Sequence, residues 1–199
     1  MALDGFELEL GASHQADVCV DSMVLGLMQR TDSLEEKVGQ LFELLREPLY
    51  LYLRAVLSNP AEAEDITQEA FLRLYRSLHH GQVITNVRFF LFRVAHNLAF
   101  DVREKNQHYE NEDLRTWDEL RQLLPDPGPN PEQRVLQMER FEQLHAAMAW
   151  LSPQELQCLH LRAEGFRYRE IGEILGINTK SAAEFLRRGI RKLMKENNG

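Results

Sequence analysis

The stretch Tyr168–Leu193, YREIGEILGINTKSAAEFLRRGIRKL, constrains this chain more than any other. Ile171, Ile174 and Leu175 recur at helical spacing, Gly176 interrupts the pattern, and Asn178 is placed to cap a second helix. In that helix Ala182, Phe185, Leu186, Ile190 and Leu193 form one apolar stripe. Lys180, Ser181, Glu184, Arg187, Arg188 and Arg191 lie on or beside the other face. Two short helices around a glycine turn make a helix-turn-helix, whose second helix enters the major groove in DNA-binding proteins. A plain helical hairpin of an all-α domain has the same pattern, so the stretch alone leaves both readings open.

A DNA reader needs cations, and here the charge is awkward. The 199 residues sum to −8. By segment, residues 1–40 carry −6, 41–107 are neutral, 108–131 carry −4 and 132–199 carry +2. The acid thus sits in a head and a middle segment, while the helical blocks are neutral or mildly basic. Phosphate neutralisation supplies most of the affinity of an autonomous DNA binder. A chain with this balance is expected to bind DNA weakly alone: either a partner supplies the affinity or the DNA reading is wrong.

In order, residues 1–20 read as an acidic extension, and a short helix is expected from Asp21 to Met28. Ser33 with Glu36 forms a capping box opening a helix through Leu41, Leu45, Leu49, Leu53 and Leu57, with Pro48 a kink or restart. Asn59-Pro60 stops it and starts the next, whose core stripe is Ile66, Ala70, Phe71, Leu74 and Leu78. After a loop over His79–Val87 comes a long helix, Arg88 to Lys105, with an apolar face of Leu91, Val94, Ala95, Leu98 and Val102. Phe89, Phe90, Phe92 and Phe100 do not all fit that face, and Arg88, Arg93, His96, Asn97 and Arg103 are interleaved with them. Rings beside cations and amides suit single-stranded nucleic acid, where bases stack and phosphates pair. They equally suit a bundle helix buried on two sides.

Residues 108–131, with Trp117 and then LPDPGPNP, read as an acidic, Pro-rich linker. Asn130-Pro131 opens a further helix to about Trp150. Ser152-Pro153-Gln154-Glu155 repeats the start logic for a helix ending at Gly165, and the hairpin follows. The expected fold is all-α: two small helical domains joined by the linker. Cys19 and Cys158 match no disulfide framework or metal spacing, and no apolar run approaches membrane-spanning length. Without a Gly-rich phosphate loop, a spaced ligand set or a nucleophile constellation, no enzyme, metal or cofactor reading is supported. The compartment expected is the cytoplasm.

This layout resembles an ECF-type (extracytoplasmic function) sigma factor of bacterial RNA polymerase, in the sigma-70 family. NPAEAEDITQEAFLRLYRSL is similar to the family's core-binding helix through Asp65, Gln68, Glu69 and Phe71. FFLFRVAHNLAFD is similar to its promoter-melting helix, and LSPQELQCLHLRAEGFRYREIGEILGI to its C-terminal helix-turn-helix. The resemblance implies four segments: 1–20 the extension, 21–107 sigma region 2, 108–131 the linker and 132–199 sigma region 4. It implies that Asp65, Gln68, Glu69 and Phe71 meet the clamp helices of the β′ subunit. Arg88, Phe92, Arg93, His96, Asn97, Phe100 and Arg103, with the loop before them, would take the −10 element as unpaired bases. Lys180, Ser181, Glu184, Arg187 and Arg188 would meet the −35 duplex, and this domain would also touch the β flap. The linker would run through the channel that nascent RNA later fills. Core polymerase then supplies the missing cations.

The departures cluster where duplex DNA is read. Near Ala183 and Phe185 the family has Lys and Arg, and Arg167 stands at a capping serine. Upstream recognition is therefore expected to be unusual or weak, leaning on the −10 side or on an accessory targeting partner. An anti-sigma factor is a further partner the resemblance implies. Two other readings compete: a helix-turn-helix regulator binding duplex DNA on its own, and a sigma-like interaction module without promoter activity.

Overall fold

The structure, a computed structural model, describes residues 21–29, 33–57, 59–106 and 150–196. Among the described residues there are seven helices and no strand. They are α1 (21–29), α2 (Leu34–Val56), α3 (Pro60–His79), α4 (Val87–Asn106), α5 (Pro153–Ala163), α6 (Tyr168–Leu175) and α7 (Thr179–Glu196). The acidic extension, the linker and the helix expected from Pro131 lie outside the described residues.

The helix starts follow from side chains that accept the orphan N–H groups of a first turn. Ser33 Oγ accepts from Glu36 N at 3.2 Å while Glu36 Oε2 accepts from Ser33 N at 3.0 Å. Ser152 and Glu155 repeat that box at 3.3 and 2.8 Å. Asn59 Oδ1 accepts from Ala61 N at 2.9 Å, and Asn178 Oδ1 from Ser181 N at 2.8 Å. At α6 the side chain of Arg167 gives no cap. Half of the box survives, because Glu170 Oε2 accepts from Arg167 N at 2.8 Å.

Pro48 does not restart α2. The helix is continuous from Leu34 to Val56 with Pro48 inside it. An interior proline costs about 3 kcal/mol through its lost donor and its clash with the preceding turn. Leu41 and Leu45 before it, and Leu49, Tyr52 and Leu53 after it, are all buried in the same core. A fully buried leucine contributes about 1.5–3 kcal/mol, so burial on both sides outweighs the break.

Helices α2, α3 and α4 pack on one another, as do α5, α6 and α7. The two groups also meet, α6 on α4 and α5 on α2, so one apolar core runs through both. The stripe expected for α4 is only partly right. Leu91 and Ala95 are buried, but Val94, Leu98 and Val102 are only partly so, while Arg88, Phe92 and His96 are buried instead. The reason is that α4 is covered from two directions, by α2 and α3 on one side and by the second group on the other.

The turn of the hairpin depends on two glycines. Gly176 has φ 67°, a left-handed conformation that costs a side-chain-bearing residue energy. Gly172 lies where a Cβ would stand 2.8 Å from the carbonyl oxygen of Ile177. That oxygen belongs to backbone and has no rotamer to yield. Gly172→Ala is therefore expected to destabilise by about 1–3 kcal/mol despite alanine's better helix propensity. An unchanged or raised Tm in thermal unfolding would refute this.

Candidate functional site

Three surfaces carry the residues singled out above. On α3, Asp65 and Gln68 are exposed and Glu69 is half-buried. Glu69 Oε1 accepts from Arg73 Nε at 3.0 Å, with Arg76 3.6 Å away. Gln68 Nε2 reaches Glu64 Oε1 at 3.4 Å, and Arg46 pairs with the same Glu64 oxygen at 3.1 Å. Phe71 is not on this face. It is 4% exposed and packs edge-on against Phe42 at 4.9 Å, so it holds the helix rather than presenting itself to a partner. The residue missed was Leu72, half exposed beside the polar set. Its spacing from Asp65 and Gln68, seven and four residues, was the available signal.

The α4 residues fall on different faces. Arg93 and Asn97 are exposed, and with Phe89, Phe90 and Val94 they form one wall of a cleft of about 380 Å³. Residues Gln82 to Asn86 of the preceding loop form the other wall. Asn86 Oδ1 accepts from Phe89 N at 2.9 Å, which ties the loop to the first turn of α4. The Arg93 guanidinium stands 6.0 Å over the Phe89 ring, a cation beside an aromatic face. Ring, cation and amide lining one cleft is a chemistry that receives an unstacked base.

Arg88, Phe92 and His96 face elsewhere and are buried in this arrangement. Arg88 is 4% exposed, donates to Asp21 Oδ1 at 3.2 Å, has Glu164 Oε2 at 3.8 Å and lies 4.7 Å over the Phe166 ring. Phe92 is fully buried between Tyr52, at 5.5 Å, and Phe166, at 5.0 Å. His96 Nδ1 lies 2.7 Å from the Tyr52 hydroxyl. Phe100, well exposed, and Arg103, half-buried, line a second cleft of about 370 Å³ between the end of α4, the start of α5 and Ile177. Periodicity marked these side chains as outside the α4 core stripe but could not show what covers them.

Burial governs the protonation of this region. His96 is pushed down to about 4 by desolvation, with the Arg103 charge acting in the same direction. His160, 6.3 Å from the Tyr52 ring, is lowered to about 4 by desolvation alone. Burial raises the Tyr52 phenol and carries the Cys158 thiol to about 12. Both histidines are therefore neutral in the fold, whereas unfolded chains bind a proton below about pH 6.5. Their contribution is complete above that value and is lost as pH falls from about 6.5 toward 4. At pH 5 it amounts to about 1–2 kcal/mol each. The Tm of the wild type should drop between pH 7.5 and 5.0 by more than that of a His96→Gln, His160→Gln double variant. Equal drops would refute the assignment.

On α7, Lys180, Arg187 and Arg188 are exposed and Ser181 is half-buried. Glu184 accepts from Arg187 and also from Arg188 Nε at 3.0 Å, and those two hydrogen bonds hold its carboxyl below the ordinary range. Phe185 is half-buried against the core, which explains its presence as packing. Among the described residues no group of three or more His, Cys, Asp or Glu could hold a metal ion. No described helix is long and apolar enough to cross a membrane.

Two family models match the chain: sigma-70 region 2 over residues 41–109 and sigma-70 region 4 over residues 141–193. The ECF RNA polymerase sigma factor SigX of Bacillus subtilis is 23% identical over 163 residues, covering 81% of this chain and 84% of that protein. SigE of Mycolicibacterium smegmatis is 31% identical over 155 residues, 76% of this chain and 59% of that protein. Among solved structures, the sigma factor RpoE in complex with the anti-sigma factor NepR, from Bartonella quintana, superposes with a TM-score of 0.56 at 16% identity, over 80% of this chain and 96% of that one. CnrH in complex with the cytosolic domain of CnrY gives 0.52 at 16% identity, over 92% and 97%.

Proposed function

Because the chain belongs to the sigma-70 family as an ECF-type sigma factor, acting in promoter recognition and transcription initiation, we propose how its surfaces divide that work. The polar α3 face, Asp65, Gln68 and Glu69 with Leu72 among them, docks on the β′ clamp helices of core polymerase. An acidic, hydrogen-bonding patch suits a basic partner surface, and Leu72 supplies an apolar contact. The cleft walled by the 82–86 loop and by Phe89, Arg93 and Asn97 receives an extruded base of the −10 element. Extrusion costs a few kcal/mol of unstacking, which stacking and polar contacts in such a cleft offset.

The exposed face of α7 meets the −35 duplex with Lys180, Arg187 and Arg188. Glu184 competes with DNA phosphates for both arginines, and Ala183 and Phe185 bring no charge, so the upstream contact is weak. Residues 21–107 act as the first unit and 132–199 as the second, joined by the acidic linker. The protein works in the cytoplasm beside the polymerase and contributes no catalytic group. An anti-sigma factor is a natural partner, as NepR is for RpoE of Bartonella quintana.

The observation that carries this reading is the cleft, which sets an aromatic ring, a guanidinium and an amide against a loop wall. The test is run-off transcription from a library of upstream regions with purified protein and core polymerase. Initiation at defined start sites is expected, with a footprint strong over the melted element and faint at −35. Polymerase binding without initiation would overturn it.

A further inference from the structure

Of the six buried polar or charged side chains among the described residues, five have partners in the fold. Thr67 Oγ1 donates to the Ala63 carbonyl at 2.8 Å, and Lys192 Nζ donates to Glu155 Oε2 at 2.7 Å. Arg88 has Asp21, His96 has the Tyr52 hydroxyl, and Arg54 is partnered as well. Gln157 is the exception. It is 8% exposed, and its side-chain amide makes no hydrogen bond to any described residue. It lines the cleft of about 370 Å³ between the end of α4, the start of α5 and Ile177. Folds seldom leave a buried amide unmatched, because its desolvation is then uncompensated. An unmatched amide on the wall of a cleft points to a group that enters the cleft.

We propose that this cleft binds an adenine mononucleotide. It is separate from the cleft walled by the 82–86 loop, and the assignment does not depend on the sigma reading. Gln157 holds a donor and an acceptor side by side, the pair that meets adenine N6 and N7. The Phe100 ring, 60% exposed, lines the same cleft and offers a face on which a base stacks. Three residues on, Arg103 lies on the same side of α4. It is half-buried and has no hydrogen-bond or ion-pair partner among the described residues, so a phosphate suits it as counterion. Glu104 adds a carboxylate of the kind that accepts from ribose hydroxyls. Val56, Leu175 and Ile177 supply the apolar part of the lining, and the volume is that of a small-molecule site. A ligand there touches α2, α4, α5 and the hairpin turn together, so its binding energy appears as stability.

The test is isothermal titration calorimetry of the full chain with AMP, GMP, adenosine, inorganic phosphate and a single-stranded oligodeoxynucleotide. AMP should bind saturably and roughly 5–150-fold more tightly than GMP, because one bidentate edge contact separates them. At about a hundred times its Kd, AMP should raise Tm by about 5–10 °C. Gln157→Leu should keep or raise the Tm of the free protein, since apolar volume replaces an unmatched amide, and should weaken AMP by about tenfold or more. Arg103→Gln should weaken AMP by about tenfold and leave adenosine unchanged. If Gln157→Leu does not fold, Arg103→Gln decides. No saturable AMP binding in the millimolar range, GMP or phosphate binding as tightly as AMP, or AMP binding untouched by the variants would each overturn the site. An oligonucleotide that binds through Gln157 and Arg103 where AMP does not would overturn it too. None of these outcomes bears on the sigma reading, which run-off transcription tests.

Discussion

Arg93→Ala and Asn97→Ala are each expected to lower run-off transcription by about 10–100-fold while leaving thermal stability almost unchanged. Both side chains are exposed on the cleft wall of α4 and neither carries core packing. A well-placed polar contact to a base is worth about 1–3 kcal/mol, and each 1.4 kcal/mol is tenfold in an equilibrium. Exposed positions of this kind usually change stability by less than 0.5 kcal/mol, or about 1–2 °C in a chain of this size. Permanganate reactivity of unpaired thymines locates the defect: polymerase binding should persist while melting fails. Normal melting by both variants would remove the cleft from the mechanism.

One residue earlier, the opposite outcome is expected. Phe92→Ala should destabilise the fold by about 3–5 kcal/mol and lower Tm by about 10 °C or more, because it empties a fully buried site between two aromatic rings. Phe92→Leu should recover most of that loss, since it restores volume without the ring. Urea unfolding followed by circular dichroism measures both. A Phe92→Ala variant that melts like the wild type would mean the side chain is not packed as described. The pair 92 and 93 thus sets a buried packing residue beside an exposed cleft residue within a single turn of helix.

Much of this was legible beforehand, for identifiable reasons. Caps at Ser33, Asn59, Ser152 and Asn178 depend on contacts within three residues, and local chemistry is carried by local sequence. The stripes Ile66–Ala70–Leu74 and Ala182–Leu186 were readable because an amphipathic helix at a single interface shows a clean period. A restart at Pro48 did not occur because the proline's cost is local while the burial that overrides it comes from other helices. That Phe71, Arg88, Phe92 and His96 are buried was hidden for a related reason. A helix packed from two directions loses its simple period, and an aromatic or cationic side chain then looks the same whether it waits for DNA or for another helix.

What the sequence by itself determined is the helical content, the caps and hairpin turn, and the family, because each rests on spacing along one strand of chain. What only the tertiary structure decided is which face of α4 is free. That depends on Phe166 and Glu164, more than sixty residues away, arriving over Arg88 and Phe92 and burying them.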